Sequence, residues 1–243
     1  MNTKTVVITG ASSGIGFALA EAYLKRGYNV VGNGRTQSRL DEAAKKLGNP
    51  QNFVGVAGDI SKPETAKEIF KQAKAKFGKV DILINNAGIF IAKPITAYTE
   101  EDVDQLIDTN LKGFFYPTRE AVAHMSENKD GHIVNITASV AIQPNINVPA
   151  SLAILIKGGI DHATKALSLE LTPFNIKVSS VAPGIIDTPM HPVETHAFLK
   201  ALHPSNEMGS TKDVVDAVMY LADAKFTTGI VLPVDGGSSS GKW

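Results

Sequence analysis

The stretch Thr5-Val6-Val7-Ile8-Thr9-Gly10-Ala11-Ser12-Ser13-Gly14-Ile15-Gly16 decides the fold of this chain. Its first four residues form a β-branched run typical of a buried strand, and apolar residues recur at helical spacing after Gly16. The glycines therefore lie in a strand-to-helix turn, where main-chain N–H groups approach a ligand closely and the helix start favours a diphosphate. An ordinary glycine-rich turn is the alternative. The pattern favours a dinucleotide site, whose residues are Gly10, Ser12, Ser13, Gly14, Ile15 and Gly16.

Strand-like and helical patterns alternate along the whole chain. The strand-like runs are Thr5–Ile8, Tyr28–Gly32, Phe53–Ala57, Val80–Ile84, His132–Ile136, Ile176–Val181 and Ile230–Val234. The helical patterns after the first lie near Arg39–Leu47, Pro63–Phe77, Glu100–Glu127, Ser151–Leu171 and Lys212–Leu221. This alternation predicts an α/β fold of the Rossmann type, a doubly wound parallel seven-stranded sheet with helices on both faces. Because no linker or repeat interrupts the pattern, we expect one dinucleotide-binding and catalytic domain over residues 1–243.

The composition limits the partners of the protein. Among 243 residues, 24 Lys and Arg balance 24 Asp and Glu, so no charge excess indicates nucleic acid or an anionic membrane surface. Cysteine is absent, which excludes disulfides, thiolate catalysis and cysteine metal sites, and we expect no metal. Because the first strand begins within five residues of Met1 and the apolar runs are short, we expect no signal peptide, no membrane span and a cytoplasmic location.

A second turn, Asn85-Asn86-Ala87-Gly88, directly follows the fourth predicted strand. Open parallel sheets bind ligands at the carboxyl ends of their strands. Small residues there let the main chain lie beside a ring, and Asn side chains brace neighbouring strands through hydrogen bonds. Plain turn chemistry is the alternative.

With both turns present, the chain resembles the short-chain dehydrogenase/reductase family. Thr9–Gly16 matches the family's TGxxxGxG turn, and Asn85–Gly88 matches its NNAG turn. Further matches are Asn110, Ile133–Ile136, Pro183-Gly184 and Val234–Gly237, so the resemblance covers essentially the whole chain. It implies a nicotinamide-dependent oxidoreductase that acts on a small-molecule carbonyl or alcohol.

The resemblance also implies further cofactor contacts. Gly58-Asp59-Ile60 matches the turn after the third strand, where the acid caps the adenine amino group and the next residue packs on the ring. An ordinary loop that leads into a helix is the alternative there. The other implied positions are Asn86, Ala87, Gly88, Lys157, Pro183, Gly184, Ile186 and Thr188.

The end of the second strand selects between two cofactors. A carboxylate there accepts hydrogen bonds from the ribose 2′-hydroxyl of NAD, whereas a guanidinium fits the 2′-phosphate of NADP. Gly34 stands where NAD-selective members of the family tend to carry aspartate, and Arg35 follows it. A solvated surface arginine is the alternative. The sequence predicts NADP as the cofactor.

The catalytic positions match the family in part. The family pattern is Asn, Ser, Tyr and Lys, with the tyrosine four residues before the lysine. Asn110, Ser139 and Lys157 match and are predicted to be catalytic, with Thr137 a second candidate for the serine. Ala153 stands at the tyrosine position, and residues 117–219 contain no tyrosine.

Loss of the tyrosine leaves several hypotheses open. Losing a general acid typically costs about 10² to 10⁴ in rate, so hydride transfer survives it physically. Either another acid serves, or the substrate needs no strong acid, as with an activated alkene or iminium. The irregular stretch Gly184–Ser210 offers His191, His196 and His203 as acids, with a solvated loop as the alternative. We favour an NADP(H)-dependent oxidoreductase with a non-standard proton donor; the alternative is a catalytically silent NADP-binding protein.

The resemblance also implies an oligomer, because Glu100–Glu127 and Ser151–Leu171 match the helices that pair across subunits in the family. The second segment carries Leu152, Ile154, Leu155 and Ile156 near its start, more apolar surface than a monomer readily exposes. We expect a homotetramer or a homodimer.

Overall fold

Seven strands form the centre of the molecule in this computed structural model, which describes residues 3–241. The strands are β1 (Thr5–Ile8), β2 (Asn29–Gly34), β3 (Phe53–Ala57), β4 (Ile82–Asn85), β5 (Gly131–Ile136), β6 (Ile176–Pro183) and β7 (Val231–Val234). They form one sheet in the order β3-β2-β1-β4-β5-β6-β7, and each neighbouring pair is parallel. The predicted Rossmann-type α/β fold is confirmed.

Helices cover both faces of this sheet. They are α1 (Gly14–Lys25), α2 (Gln37–Lys46), α3 (Pro63–Phe77), α4 (Glu100–Leu106), α5 (Gly113–Asn128), α6 (Ser151–Glu170), α7 (His196–Lys200) and α8 (Thr211–Asp223). Alternation along β1 divides the core in two: Val6 packs with Leu19 of α1, whereas Val7 packs with Ile69 of α3 and Met125 of α5. Each of these side chains is fully buried, which stabilises the fold by about 1.5–3 kcal/mol per large apolar residue.

The strand order reverses beside β1, whose neighbours are β2 on one side and β4 on the other. In open α/β sheets such a reversal leaves a crevice outside the carboxyl ends of the strands. The glycine-rich turn follows β1, and the turn Asn85–Gly88 begins at the end of β4. The topology therefore places both sequence motifs at one crevice.

The segment Glu100–Glu127 is helical throughout, as predicted, but its middle is not α-helical. Residues Ile107–Lys112 are π-helical and separate α4 from α5. Asn110 lies in this segment, and its side chain hydrogen-bonds the main chain of Ile89, far away in sequence. Since π-turns are poorer than α-turns and occur mostly at functional sites, this long-range contact explains a feature that local periodicity does not show.

The stretch Gly184–Ser210 is irregular as predicted, except for the short helix α7 and a 3₁₀ turn at Val193–Thr195. Among residues 3–241, none of the helices has the length and apolar character that crossing a membrane requires.

Candidate active site

Hydrogen bonds hold the turn after β1 against the turn after β4. The Thr9 hydroxyl accepts from the backbone N–H groups of Asn86 and Ala87, each at 3.0 Å. In return, the Asn86 side-chain amide donates to the carbonyl oxygens of Thr9 at 2.9 Å and Gly10 at 3.3 Å. The two motifs therefore form a single structural unit.

Glycine is required in the first turn for conformation and for space. Gly10 and Gly14 have φ of +68° and +55°, in the left-handed region that favours glycine. A Cβ on Gly10 would lie 3.0 Å from the Ala87 Cα, and a Cβ on Gly16 would overlap the Gly10 carbonyl oxygen. Among the described residues Ser13, the N-cap of α1, makes no side-chain cap, so the first N–H groups of the helix are free to bind an anion.

The end of β2 lies beside this turn. A Cβ on Gly34 would be 3.1 Å from the Leu40 Cδ2 and 3.5 Å from the Ser12 Cβ. Gly34 is buried, so a carboxylate fits there only if Leu40 moves. Arg35 is exposed next to this closed position, whereas Ile15 packs against the core. The end of β2 thus carries an exposed arginine at position 35 and a crowded position at Gly34, where an acidic side chain would require Leu40 to move.

The turn after β3 is tied to the end of β2, because the Gly58 N–H donates to the Gly34 carbonyl oxygen at 2.9 Å. Asp59 is exposed, and its Oδ1 accepts from the Ser61 N–H at 2.9 Å. Ile60 is only 5% exposed and packs in the core against Gly113 of α5. The Asp59 carboxylate thus lies at the surface, while most of the Ile60 side chain is engaged in the core.

Two polar side chains converge on Gly88 at the other end of the crevice. A Cβ on Gly88 would lie 3.2 Å from the Asn110 Oδ1 and 3.3 Å from the Lys157 Nζ. Asn110 is held by two hydrogen bonds to Ile89, since its Oδ1 accepts from the N–H and its Nδ2 donates to the carbonyl, both at 2.9 Å. The Lys157 Nζ donates to the Ile136 carbonyl oxygen at 2.9 Å. Residues distant in sequence thus meet beside the second turn.

A cavity of about 10 Å³ lies between these groups, with Ala87, Asn110 and Lys157 in its wall. This volume is about that needed by one water molecule. Asn85 and Asn135 also line it, joined by a hydrogen bond of 2.9 Å from the Asn85 Nδ2 to the Asn135 Oδ1. A small polar chamber therefore adjoins the amine of Lys157.

Burial perturbs both ionisable groups on this face of α6. It lowers the pKa of Lys157 to about 8, against the opposing charge of Asp161. It raises the pKa of Asp161, although the Thr137 and Ser180 hydroxyls and the Lys157 charge lower it. Perturbed groups of this kind cluster at functional sites.

Ala153 lies on the same face of α6 but in apolar surroundings. It is 1% exposed and packs in a cluster with Phe114 and Ile156, with Ile89 and Ile91 at the edge of the cluster. The cluster around position 153 is thus mainly apolar, and it includes Tyr98, whose hydroxyl donates to the Ile91 carbonyl oxygen at 2.9 Å.

The two hydroxyl candidates after β5 are both buried. Ser139 is 5% exposed and begins a 3₁₀ turn. Thr137 is 6% exposed, and its hydroxyl donates to the Val181 carbonyl oxygen at 3.3 Å, so it is engaged with β6.

The loop after β6 contacts the glycine-rich turn through Thr188. Pro183 ends β6, and the Gly184 N–H donates to the Val234 carbonyl oxygen at 2.9 Å. Ile186 is buried, and the Thr188 side chain lies 3.5 Å from the position of a Cβ on Gly14. The loop therefore brings Thr188 to the first turn.

The three loop histidines have different surroundings. His203 is 4% exposed, and its Nε2 accepts from the Ile185 N–H at 3.0 Å, a bond that protonation would break. Burial lowers the pKa of His203 and that of His191. The His196 Nε2 lies 3.1 Å from the His191 carbonyl oxygen and 3.8 Å from the Asp187 Oδ1. His203 is thus bonded into the loop as a neutral side chain.

Sequence reasoning missed Asp161 and the polar ladder beneath the cavity. The Asn135 Nδ2 donates to the Thr164 Oγ1 at 2.9 Å, and Thr164 and Ser180 share a hydrogen bond of 2.7 Å. The helical spacing of four residues between Lys157 and Asp161 is a signal that could have found the acid.

Comparison with known proteins places this chain in a family. The family model for short chain dehydrogenases matches residues 4–197. The 3-oxoacyl-[acyl-carrier-protein] reductase FabG of Thermotoga maritima is 33% identical, with 96% of this chain and 97% of that protein covered.

Solved structures share the fold over nearly the whole chain. A 3-ketoacyl-(acyl-carrier-protein) reductase from Brucella melitensis complexed with NADH has a TM-score of 0.90 at 31% identity, covering 97% of this chain and 98% of that chain. ElxO with NADP bound has a TM-score of 0.92 at 31% identity, covering 98% and 100%. A tyrosine-to-phenylalanine variant of ElxO with NADPH bound gives the same values.

The fold and the two joined turns define a Rossmann-type protein with its crevice at the strand reversal. The chain belongs to the short-chain dehydrogenase/reductase family of oxidoreductases.

Proposed function

We propose that this protein is an NADP(H)-dependent oxidoreductase which transfers a hydride between the nicotinamide and a small carbonyl or alcohol substrate. The reduced nicotinamide, when bound, supplies the hydride. The observation that carries this proposal is the convergence of the Lys157 Nζ and the Asn110 Oδ1 on Gly88, in the crevice that also holds the glycine-rich turn. A cation and an amide at one end of a diphosphate-binding crevice suit hydride chemistry on a polar substrate.

The residues of the crevice fit a dinucleotide. Gly10 and Gly14 leave the main chain of the first turn free of side chains, and the start of α1 offers N–H donors to the diphosphate. Thr188 and Gly88 would border the nicotinamide, and the Lys157 ammonium would bind the ribose hydroxyls. The other contacts that we propose for the cofactor are those of Ser12, Ser13, Ile15, Gly16, Asp59, Ile60, Asn86, Ala87, Pro183, Gly184 and Ile186.

The choice of NADP over NAD rests on the end of β2. Structural neighbours carry either NADH or NADP, so the likeness alone does not select a cofactor. An acid at position 34 would need Leu40 to shift, and the exposed Arg35 offers a guanidinium to a 2′-phosphate.

Calorimetric titration with NADPH and NADH tests this proposal. Arg35→Ala is expected to weaken NADPH binding by about tenfold or more, as for loss of a charged hydrogen bond, and to leave NADH binding nearly unchanged. Arg39→Ala, which removes an exposed arginine from α2, is the matched control and should change neither affinity. Equal affinity of the natural protein for both cofactors would contradict the assignment to NADP.

We infer that the proton donor is not the tyrosine of the family pattern, because Ala153 stands at that position. Asn110, Ser139 and Lys157 form the proposed catalytic set, in which Ser139 binds the substrate oxygen. Without the tyrosine, we expect slow turnover of ordinary ketones and aldehydes.

A catalytically silent NADP-binding protein is the second candidate function. The mainly apolar packing around Ala153 favours it, since the one phenol in that cluster among the described residues, Tyr98, has its hydroxyl engaged with the Ile91 carbonyl oxygen at 2.9 Å. The NADPH-bound ElxO variant shows a related protein that holds the cofactor with phenylalanine in place of one of its tyrosines. NADPH binding with no consumption over a panel of ketones, activated alkenes and imines would favour this second function.

We also propose a homotetramer or homodimer with a cytoplasmic location. Exposed apolar side chains lie along the outer faces of α5 and α6, among them Phe115 at 54%, Leu155 at 70% and Leu169 at 78%. Ile156, which we expected on this surface, is instead 6% exposed and packs in the core. Sedimentation distinguishes an oligomer from the 25.8 kDa monomer.

A further inference from the structure

Asp161 is a buried acid one helical turn beyond Lys157. Ala153, Lys157 and Asp161 are spaced by four residues on α6, so they lie in one row on the same face of the helix. Asp161 is 5% exposed, and its Oδ1 has no hydrogen-bond partner among residues 3–241. Buried ionisable groups ordinarily have a partner of opposite charge, so this acid needs an explanation.

The charged groups that face Asp161 identify that partner. They are Lys157 and, more weakly, the exposed His162, whose Nδ1 lies 3.1 Å from the Gly158 carbonyl oxygen. From the sheet, Asp161 meets the neutral hydroxyls of Thr137 and Ser180. Lys157 is therefore the cation next to this carboxyl in the row on α6, although the two side chains form no direct ion pair, since the Lys157 Nζ donates to Ile136.

The pair also explains how Lys157 stays charged. Burial lowers the pKa of Lys157 only to about 8, with Asp161 opposing the shift. A nearby opposite charge favours the charged form of a group. Without Asp161, a smaller fraction of the Lys157 amine would therefore be protonated at neutral pH.

This inference rests on the proposed function and deepens it. We propose that Asp161 is a positioning residue whose buried carboxylate keeps the Lys157 amine protonated. Lys157 then donates the proton that the tyrosine of the family pattern would donate from position 153. On reduction, one N–H bond of the Lys157 ammonium breaks and an O–H bond forms on the substrate oxygen, while the nicotinamide hydride goes to the carbonyl carbon. The neutral amine then takes a proton back from solvent, so charge and atoms balance.

The first test follows the titration of Lys157 in the cofactor-free protein. The midpoint is measured by NMR with ¹³C-labelled lysine, and the signal is assigned by its loss in Lys157→Met. In Asp161→Asn we expect the Lys157 midpoint to fall by about 1–3 pH units. An unchanged midpoint would overturn the proposal.

The matched control is Asp216→Asn, because Asp216 follows Lys212 at the same spacing on α8, with an N–O distance of 2.5 Å, but both side chains are exposed. This variant should leave the Lys157 midpoint unchanged. It should move that of Lys212 by less than about half a pH unit, since solvent screens exposed pairs. A Lys157 midpoint that moves equally in this control would overturn the specific role of Asp161.

A reciprocal measurement covers the case in which Asp161→Asn does not fold. Coupling between two sites is mutual, so Lys157→Met should raise the Asp161 carboxyl midpoint by as much as Asp161 raises that of Lys157. An Asp161 midpoint that is the same with and without Lys157 would overturn the proposal.

Turnover separates this inference from the proposed function. kcat/KM for carbonyl reduction should fall as pH rises through the Lys157 midpoint, and that inflection should move with the NMR midpoint in Asp161→Asn. An inflection that stays in place while the NMR midpoint moves would overturn Lys157 as the proton source. If the midpoints of Lys157 and Asp161 are coupled but the protein never consumes NADPH, the proposed function and the role of Lys157 as proton source are both overturned. Asp161 would then be only the counter-charge of Lys157.

Discussion

The two ends of the crevice differ in whether main-chain or side-chain groups form them. At the end beside β1, the site consists of main chain: glycines without side chains, helix N–H groups and the hydroxyl of Thr9 that joins two turns. At the end beside α6, it consists of side chains, with Asn110 and Lys157 near the apolar surroundings of Ala153. The first end carries the family's glycine-rich turn, and the second is where we propose that the chain departs from the family pattern. A main-chain site needs positions without side chains, so it tolerates fewer substitutions than a site made of side chains.

The largest expected effect comes from adding one methyl group to the main-chain end. In Gly16→Ala the new Cβ would overlap the Gly10 carbonyl oxygen and lie 2.5 Å from the Asn86 Nδ2. We expect the free energy of unfolding to fall by about 3 kcal/mol, as for severe overpacking, and NADPH binding to be lost. Urea denaturation and calorimetric titration measure the two effects.

Gly159→Ala is the control for that substitution. No neighbour among the described residues lies within 4 Å of a Cβ at Gly159, which is inside α6. Alanine there should raise the free energy of unfolding by about 0.5–1 kcal/mol. If neither substitution changed the affinity for NADPH, the main-chain end would tolerate an added methyl group as well as the middle of α6 does.

The next effect concerns pH and the side-chain end. Because burial lowers the pKa of Lys157 to about 8 in the folded chain, the unfolded chain, near 10.5, holds more protons between these values. Stability relative to Lys157→Met should therefore rise by about 3 kcal/mol as pH increases from about 8 to 10.5. Urea denaturation of both proteins over this range measures the difference. A constant difference would show that Lys157 is not desolvated.

A smaller effect is expected when the family's tyrosine is placed in this chain. In Ala153→Tyr the phenol must enter a packed apolar cluster, so we expect a loss of about 1–3 kcal/mol in the free energy of unfolding and no gain in turnover. Ser151→Tyr, at an exposed position of the same helix, should change stability by less than about 0.5 kcal/mol. A stable Ala153→Tyr variant with faster ketone reduction would show that the side-chain end has kept room for the phenol.

The main-chain end could be predicted from the sequence because its signals are local. The glycine spacing and the strand before it place the turn, and parallel strand topology brings Asn86 to it. The side-chain end depends on distant contacts. The π-helical segment at Asn110 follows from hydrogen bonds to Ile89, which no local pattern contains.

Two residues of α6 show why burial was harder to predict. Ile156 was expected at the surface and lies in the core, because the exact rotation of the helix decides which apolar residues face inward. Asp161 was missed because an acid on an amphipathic helix ordinarily faces solvent, whereas this one is buried near the hydroxyls of Thr137 and Ser180.

The hydroxyl of Thr9 has a consequence for the speed of cofactor binding. Since it accepts from the amides of Asn86 and Ala87, these amides are withdrawn from solvent before any ligand arrives and should exchange their hydrogens slowly. The binding crevice is thus shaped in advance, and little conformational entropy is lost when a dinucleotide enters it. Association is then expected to need no ordering of these two turns.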